Sequence, residues 1–256
     1  MNDDAQVSCT SDVTVVVLTY NRRKELSRCL EHLLALAERP SVVVVNNGST
    51  DDTSTFLRTH HPEICVINAG TNLGAAGRNL GVKAVRTPLV AFSDDDTWWA
   101  PGTLPRAVKL FEHHPEIAVM SAQVLVGPQQ RRDPACVVME NSPLDAVPGV
   151  GPRLVGFMAG ACIMRVHAFL EAGGYWPPFF IGGEEALLAI DLLDAGWQIA
   201  YAPALKVHHW PSVQRNTVLR QHLIARNEIW TAILRLPWYA ASEKGSNRWR
   251  NTAVAR

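Results

Sequence analysis

Short β-branched runs that alternate with helical stripes limit this chain to one class of fold. Residues 13–19 form an apolar, β-branched run, as a strand covered on both faces requires. Leu26, Cys29, Leu30, Leu33, Leu34 and Leu36, with Glu25 at their head, then follow a helical stripe that Pro40 closes. Residues 42–45 read as a second buried strand. The turn Asn47-Gly48-Ser49 follows, and Ser49, Thr50 or Asp51 can cap a helix bearing Phe56 and Leu57. Residues 64–67 read as a third strand, 74–85 as a helix of small residues, and 89–92 as a fourth strand running into Asp94-Asp95-Asp96. This rhythm predicts an α/β domain with a mostly parallel sheet and right-handed crossovers. Ligands of such sheets bind outside the carboxyl ends of the strands.

Order weakens after residues 118–126. Residues 127–152, rich in Pro, Gly, Gln and Arg, read as a mobile or variable loop, a feature usually tied to function. Residues 157–164 resemble a strand, 184–195 an amphipathic helix, and 215–236 a last long helix containing Trp230. The end of the chain is polar, as a frayed tail would be.

Composition removes several alternatives. With 47% hydrophobic residues the chain can bury a substantial core, and 24 basic against 24 acidic residues give no bulk attraction to nucleic acid. The five cysteines are scattered without C-x-x-C pairing, which predicts reduced thiols in a cytoplasmic protein. Cys29, Cys65 and Cys162 lie in apolar surroundings and are expected to be buried. The N-terminus carries Asp3, Asp4 and Asp12 where a signal peptide would be cationic. No apolar stretch reaches the roughly 18 residues of a spanning helix. A cytoplasmic protein, at most peripheral at the inner face of a membrane, is expected.

The segment Phe92-Ser93-Asp94-Asp95-Asp96-Thr97 is the most informative. Three adjacent carboxylates at the tip of a buried strand repel one another, and a hard divalent cation with oxygen ligands relieves that repulsion. Mg²⁺ or Mn²⁺ suits the place, because either leaves positions for phosphate oxygens and water. The alternative is a solvated acidic turn that caps a helix starting near Thr103.

These residues join others in a known order. The runs Val15 through Arg22, Val43 through Asp51, Asn72-Leu73-Gly74 and Gly77 through Gly81 precede a D-x-D motif at Asp94 and Asp96. Gly173-Gly174-Tyr175, Gly183-Glu184-Glu185, Gly196-Trp197, Tyr201-Ala202-Pro203 and His209 follow. In this order and spacing the chain resembles glycosyltransferase family 2, the inverting enzymes of the GT-A fold. The resemblance implies a sugar moved from a nucleoside-diphosphate donor to a hydroxyl acceptor, a glycan, glycolipid or small-molecule glycoside, with Mn²⁺ or Mg²⁺. It also implies a flexible N-terminus (1–12), a donor-binding half (13–126), an acceptor and catalytic half (127–236) and a tail (237–256).

Carried over by position, the resemblance places Thr19, Tyr20 and Arg22 at the nucleotide pocket and Asn47 near the base. It places Arg78 by the diphosphate, and Asp94 and Asp95 on the donor side. Asp96, with Asp94 and His209, is implied for the metal, His208 being the competing histidine. The usual acidic turn has become Asn46-Asn47-Gly48-Ser49, where an Asn carbonyl must accept what a carboxylate would. The family's Glu-Asp has become Glu184-Glu185, and Leu187 stands where a further Asp is frequent. Glu185 is the expected general base and Glu184 its competitor, both in the first turn of a helix whose dipole favours their ionised form. Loss of the second carboxylate leaves a nucleotide-sugar-binding protein without turnover as the rival reading. A nucleotidyltransferase would show a Gly-rich, basic phosphate loop where this chain has Thr19-Tyr20-Asn21-Arg22.

Sugar C–H faces pack on aromatic rings, so Trp176 and Trp98 or Trp99 are candidates for acceptor contact, although core packing is the commoner use of Trp. His60-His61 and His113-His114 precede prolines and read as helix-terminal residues. In the last helix Arg215, Arg220, Arg226 and Arg235 accompany Leu219, Leu223, Ile224 and Ile229, a pattern that can rest on an anionic membrane.

Overall fold

The computed structural model describes residues 12–212 and 217–237. The chain runs β1 (Val13–Thr19), α1 (Arg23–Leu34), β2 (Ser41–Asn46), α2 (Thr53–His60) and β3 (Cys65–Asn68). A 3-10 turn (Gly74–Ala76) leads into α3 (Gly77–Ala84), followed by β4 (Leu89–Asp94), β5 (Thr97–Trp99), α4 (Thr103–His113) and β6 (Ile117–Val126). Then come β7 (Arg131–Arg132), α5 (Pro134–Glu140), β8 (Ala146–Val147), β9 (Gly151–Leu154), β10 (Cys162–Arg165) and α6 (Val166–Glu171). A second 3-10 turn (Pro177–Phe179) precedes α7 (Glu184–Asp194), β11 (Gln198–His209) and α8 (Thr217–Arg235).

The sheet order is β3-β2-β1-β4-β10-β6-β11-β9-β8, with β5 on β11 and β7 on β6. The long ladders β1–β2, β1–β4, β2–β3 and β6–β11 are parallel, while β10 runs antiparallel between β4 and β6. The first strands behave as the β-branched runs require: Val13, Val15, Val16 and Val17 are fully buried. The chain steps outward from β1 to β2 and β3, then crosses back to β4 on the other side of β1. That reversal opens a crevice at the carboxyl ends of β1 and β4. Leu18 is paired with Asp94 there, so Thr19 and the acidic turn emerge side by side. Helix α3 is rich in small residues for a reason of space. A Cβ on Gly81 would stand 2.5 Å from Val16 Cγ1, so the helix lies directly on the sheet.

The structure corrects several expectations. Residues 127–152 are not one loop: they contain β7, α5, β8 and the start of β9. Asp133 accepts from Ala135 N at 2.8 Å with Pro134 at the first helical position, and buried Cys136 packs beneath. An Asp-Pro pair that reads as loop is here a helix cap. The strand expected over 157–164 is confined to Cys162–Arg165, and the preceding residues form a wall of the crevice. Cys65 is exposed, because β3 is the sheet's edge, whereas Cys29 is buried and its thiol donates to Thr97 O at 3.0 Å. His60 and His113 do end α2 and α4. Cys9, the N-terminal segment before Asp12, Arg215 and the tail beyond residue 237 lie outside the described residues. No described helix is long and apolar enough to cross a membrane.

Candidate active site

A cavity of about 530 Å³ opens at the crevice, with the acidic turn on one side and Glu184 and Glu185 on the other. On the β1 side, Thr19 Oγ1 donates to Asp95 Oδ2 at 3.0 Å. Arg22 Nη1 lies 3.1 Å from Asp95 Oδ1 and 3.6 Å from Asp96 Oδ2. Burial pushes the Asp95 carboxyl up to about 7; Arg22 opposes the shift, while Asp96 and Asp94 add to it. Arg78, buried at the start of α3, forms an ion pair with Asp94. Burial works most strongly against the Arg78 charge, but Asp94 and further neighbours, Glu184 among them, together outweigh it and the guanidinium stays firmly protonated. Two guanidiniums thus relieve much of the repulsion that the sequence leaves for a divalent cation. Tyr20 stands half-exposed at the rim.

His209 reaches the acidic turn from β11. The β5–β11 ladder pairs His209 with Thr97 and His208 with Trp98, and strand alternation sends the two histidines to opposite faces. His209 Nε2 faces the cavity 3.7 Å from Asp96 Oδ1. His208 turns away and stacks on Trp98 at 5.8 Å. The segment after β11 is tied down too: Trp210 N donates to Asp96 O at 2.8 Å, and Ser212 N to Asp96 Oδ2 at 3.3 Å. Asp94, engaged with Arg78, does not join Asp96 and His209. Among the described residues no group of three or more His, Cys, Asp or Glu converges as a ready metal site. Asp96 and His209 remain as a hard oxygen–nitrogen pair, suited to a cation whose other positions go to diphosphate oxygens and water.

Asn47 is buried and fully engaged. Its Oδ1 accepts from Leu73 N at 3.1 Å, while Nδ2 donates to Asn72 Oδ1 at 3.1 Å and Gly74 O at 3.0 Å. Asn46 likewise bonds Ser54, Asn68 and Ser49 N. The acid-to-amide change in this turn therefore comes with a network that needs N–H donors as well as acceptors. Asn47 lines the cavity by holding the 72–74 segment in place.

On the opposite wall, Gly182 and Gly183 both take left-handed conformations (φ 88° and 82°), and α7 begins at once with Glu184 and Glu185. Glu184 is buried, and its Oε2 has no hydrogen-bond partner among the described residues. Burial, then the neighbouring Glu184, raise the Glu185 carboxyl to about 7, with Arg220 and Arg78 pulling the other way. The segment before α7 is strained. Phe180 sits at φ 63°, ψ −74°, and Ile181 N donates to Phe179 O at 2.8 Å across it, which makes a γ-turn. Ala75 N, in the 3-10 turn before α3, donates to Phe180 O at 2.6 Å. From α8, fully buried Asn227 donates Nδ2 to Phe179 O at 2.9 Å and to Gly182 O at 2.7 Å. Arg226 Nη2 adds bonds to Pro178 O and Phe179 O at 3.1 and 2.8 Å.

Of the aromatic candidates, Trp98 lies outside this cavity, buried in a stack with His32, His208 and Trp210. Trp99 is wholly buried. Trp176 is 41% exposed, packs edge-on against Phe179 and Trp230, and does not line the cavity. Sequence reading missed Asp133, Phe180 and Asn227 and gave Arg220 only a surface role. The signal for the last pair was the spacing Arg220, Ile224, Asn227 along one helical face.

A family model described as Glycosyl transferase family 2 matches residues 14–171. N-acetylglucosaminyl-diphospho-decaprenol L-rhamnosyltransferase of Mycobacterium tuberculosis is 27% identical over 86% of this chain and 82% of its own length. Among solved structures, the mannosyltransferase PcManGT from Pyrobaculum calidifontis with GDP-Man and Mn²⁺ superposes with a TM-score of 0.64 at 19% identity, over 96% of this chain and 76% of that one. S. aureus TarS 1–349 with UDP-GlcNAc gives 0.67 at 17% identity, over 86% and 65%. The chain spans 39% of a longer TarS chain. With the mixed α/β sheet, the crevice and a family match over more than half its length, this chain belongs to glycosyltransferase family 2 and has the GT-A fold.

Proposed function

We propose that this chain is an inverting glycosyltransferase that takes a sugar from a nucleoside-diphosphate donor and attaches it to a hydroxyl of a glycan or glycolipid. One observation carries the reading. The carboxylate-rich end of β4 and the raised-pKa Glu185 face each other across a single cavity. On the donor side Thr19, Tyr20, Arg22 and Asn47 shape the nucleotide pocket, and Arg78 with Asp94 and Asp95 borders the diphosphate and sugar. Asp96 and His209 would hold Mn²⁺ or Mg²⁺, which when bound would neutralise charge on the leaving diphosphate. PcManGT, solved with Mn²⁺, supports the use of a divalent cation and not the choice of ligands.

In the reaction, Glu185 accepts the proton of the acceptor hydroxyl as its oxygen bonds to the anomeric carbon. The bond from that carbon to the diphosphate oxygen breaks on the opposite face, and its electron pair leaves with the nucleoside diphosphate. Configuration inverts in one step without a sugar–enzyme intermediate. A carboxyl that titrates near 7 is suited to this task, since about half of it is ionised at neutral pH and that form is basic enough to take a proton. Glu184, buried beside it, contributes the neighbouring charge that raises it. Trp176, exposed and packed on Phe179, is our candidate for acceptor contact. A cell-envelope glycolipid acceptor is supported by the mycobacterial relative, whose name gives a lipid-linked one.

We place the enzyme in the cytoplasm, peripheral at the inner face of the membrane. Leu219, Ile233 and Leu234 of α8 are exposed and support the contact. The arginines support it less: Arg235 pairs with Asp191 and Arg226 holds the 178–179 carbonyls. A thermal-shift screen of nucleoside-diphosphate sugars with and without Mn²⁺ tests the proposal. Stabilisation by a nucleotide sugar that grows with Mn²⁺ is expected; no stabilisation by any of them would count against it.

A further inference from the structure

Arg220 is the cavity cation whose purpose the reaction above does not use. Arg22 is committed to Asp95 and Asp96, and Arg78 to Asp94. Arg220 projects from α8 onto the same cavity, and no ion pair engages it among the described residues. It belongs to the wall formed by Phe180, Ile181, Glu184 and Glu185, opposite the donor strands.

The position is built. One turn along α8, Ile224 packs so closely on Gly182 that a Cβ there would stand 2.6 Å from its Cγ1. Two turns along, Asn227 is clamped to Phe179 O and Gly182 O. The face of α8 that carries Arg220 is therefore fixed against the segment that introduces the base.

Charge says what this residue is for. Six carboxylates line the cavity: Asp94, Asp95, Asp96, Asp133, Glu184 and Glu185. A neutral acceptor needs no further cation, and a guanidinium facing Glu185 weakens that carboxylate as a base. An anionic acceptor, by contrast, would be repelled from Glu184 and Glu185 unless a cation stood beside them.

We infer that Arg220 is an acceptor-side anion site, taking a phosphate or diphosphate ester that adjoins the accepting sugar. This rests on the glycosyltransferase reading and names the acceptor class within it. The planar guanidinium can hold two phosphate oxygens at once. Once occupied, its field on Glu185 is partly cancelled, so a correct acceptor strengthens its own base.

The test is calorimetric titration of enzyme already saturated with Mn²⁺ and its best-stabilising nucleoside diphosphate, which keeps the donor side filled. The probes are geranyl diphosphate, inorganic pyrophosphate and geraniol, on wild type, Arg220→Gln and Arg220→Lys. Geranyl diphosphate should bind wild type, lose about tenfold or more in affinity to Arg220→Gln, and recover part of it with Arg220→Lys. Nucleoside diphosphate affinity should stay within about twofold across the variants. Preference for geranyl diphosphate over pyrophosphate assigns the anion to a lipid-linked acceptor. Equal, Arg220-dependent binding assigns it to the diphosphate alone. Geranyl diphosphate that binds Arg220→Gln as well as wild type, that binds no better than geraniol, or that fails to bind nucleotide-loaded wild type overturns the inference. Failure of every nucleoside diphosphate to bind would instead overturn the donor site, and this inference with it.

Discussion

His209 Nε2 lies 3.7 Å from Asp96 Oδ1, which joins the end of β11 to the acidic turn after β4. The contact matters because β11 belongs to the second half of the sheet, and through it that half closes on the crevice at the ends of β1 and β4. Asp96 also takes Ser212 N and accepts Trp210 N at its carbonyl, so one residue orders the chain that leaves β11.

Removing the imidazole should therefore weaken cation binding and leave the fold. For His209→Ala, the Mn²⁺ concentration giving half-maximal stabilisation by nucleoside diphosphate should rise by about tenfold or more. The melting temperature without metal should change little. An unchanged Mn²⁺ requirement would remove His209 from the site.

The pH profile follows from Glu185. Its carboxyl titrates near 7, and the base must be ionised to act, so kcat/KM should rise through pH 7 and level off above it. The stability effect runs the other way. A folded-state pKa above the unfolded value favours the protonated fold, so this contribution is present at pH 4 and fades as pH climbs through 7. Thermal melts from pH 5 to 8 should flatten in Glu185→Gln relative to wild type.

Asn227 should prove to be a positioning residue. Asn227→Ala strips partners from buried carbonyls and should lower stability by about 1–3 kcal/mol. Because those carbonyls belong to the segment before Glu184, kcat should fall while nucleoside diphosphate affinity holds. Equal loss of both would indicate a general packing role.

A smaller substitution tests how α3 packs on the sheet. Gly81→Ala drives a Cβ to within 2.5 Å of Val16 Cγ1 and should destabilise by about 1–3 kcal/mol, read as a shift in the urea midpoint.

The parallel half of the sheet was legible because strands buried on both faces must be written as apolar runs, and β1, β2 and β4 are. Strand β11 was not legible as one strand: Pro203 and a register shift between Ala202 and Lys206 interrupt its ladder. The Asp133-Pro134 cap was hidden inside a segment whose composition resembles a loop. In the candidate site, the adjacent carboxylates Asp94 to Asp96 and Glu184-Glu185 stood out by themselves, whereas Thr19, Tyr20, Arg22, Asn47, Arg78 and His209, which line the same cavity, were marked by the family resemblance. Phe180 acts through backbone geometry that no local spacing encodes, and the helical spacing of Arg220, Ile224 and Asn227 marks a shared face without saying which carbonyls Asn227 meets. Trp98 misled because an aromatic beside an acidic motif says nothing of which face of β5 it occupies. The choice between His208 and His209 waited on the register of β11 against β5.

The rate of sugar transfer by Glu185→Gln, compared with wild type and Glu184→Gln under the same saturating donor and Mn²⁺, tests the central claim most directly. Transfer by Glu185→Gln should fall by roughly 10²-fold or more, with donor-induced thermal stabilisation retained. Wild-type transfer by Glu185→Gln, with the loss appearing in Glu184→Gln instead, would contradict it.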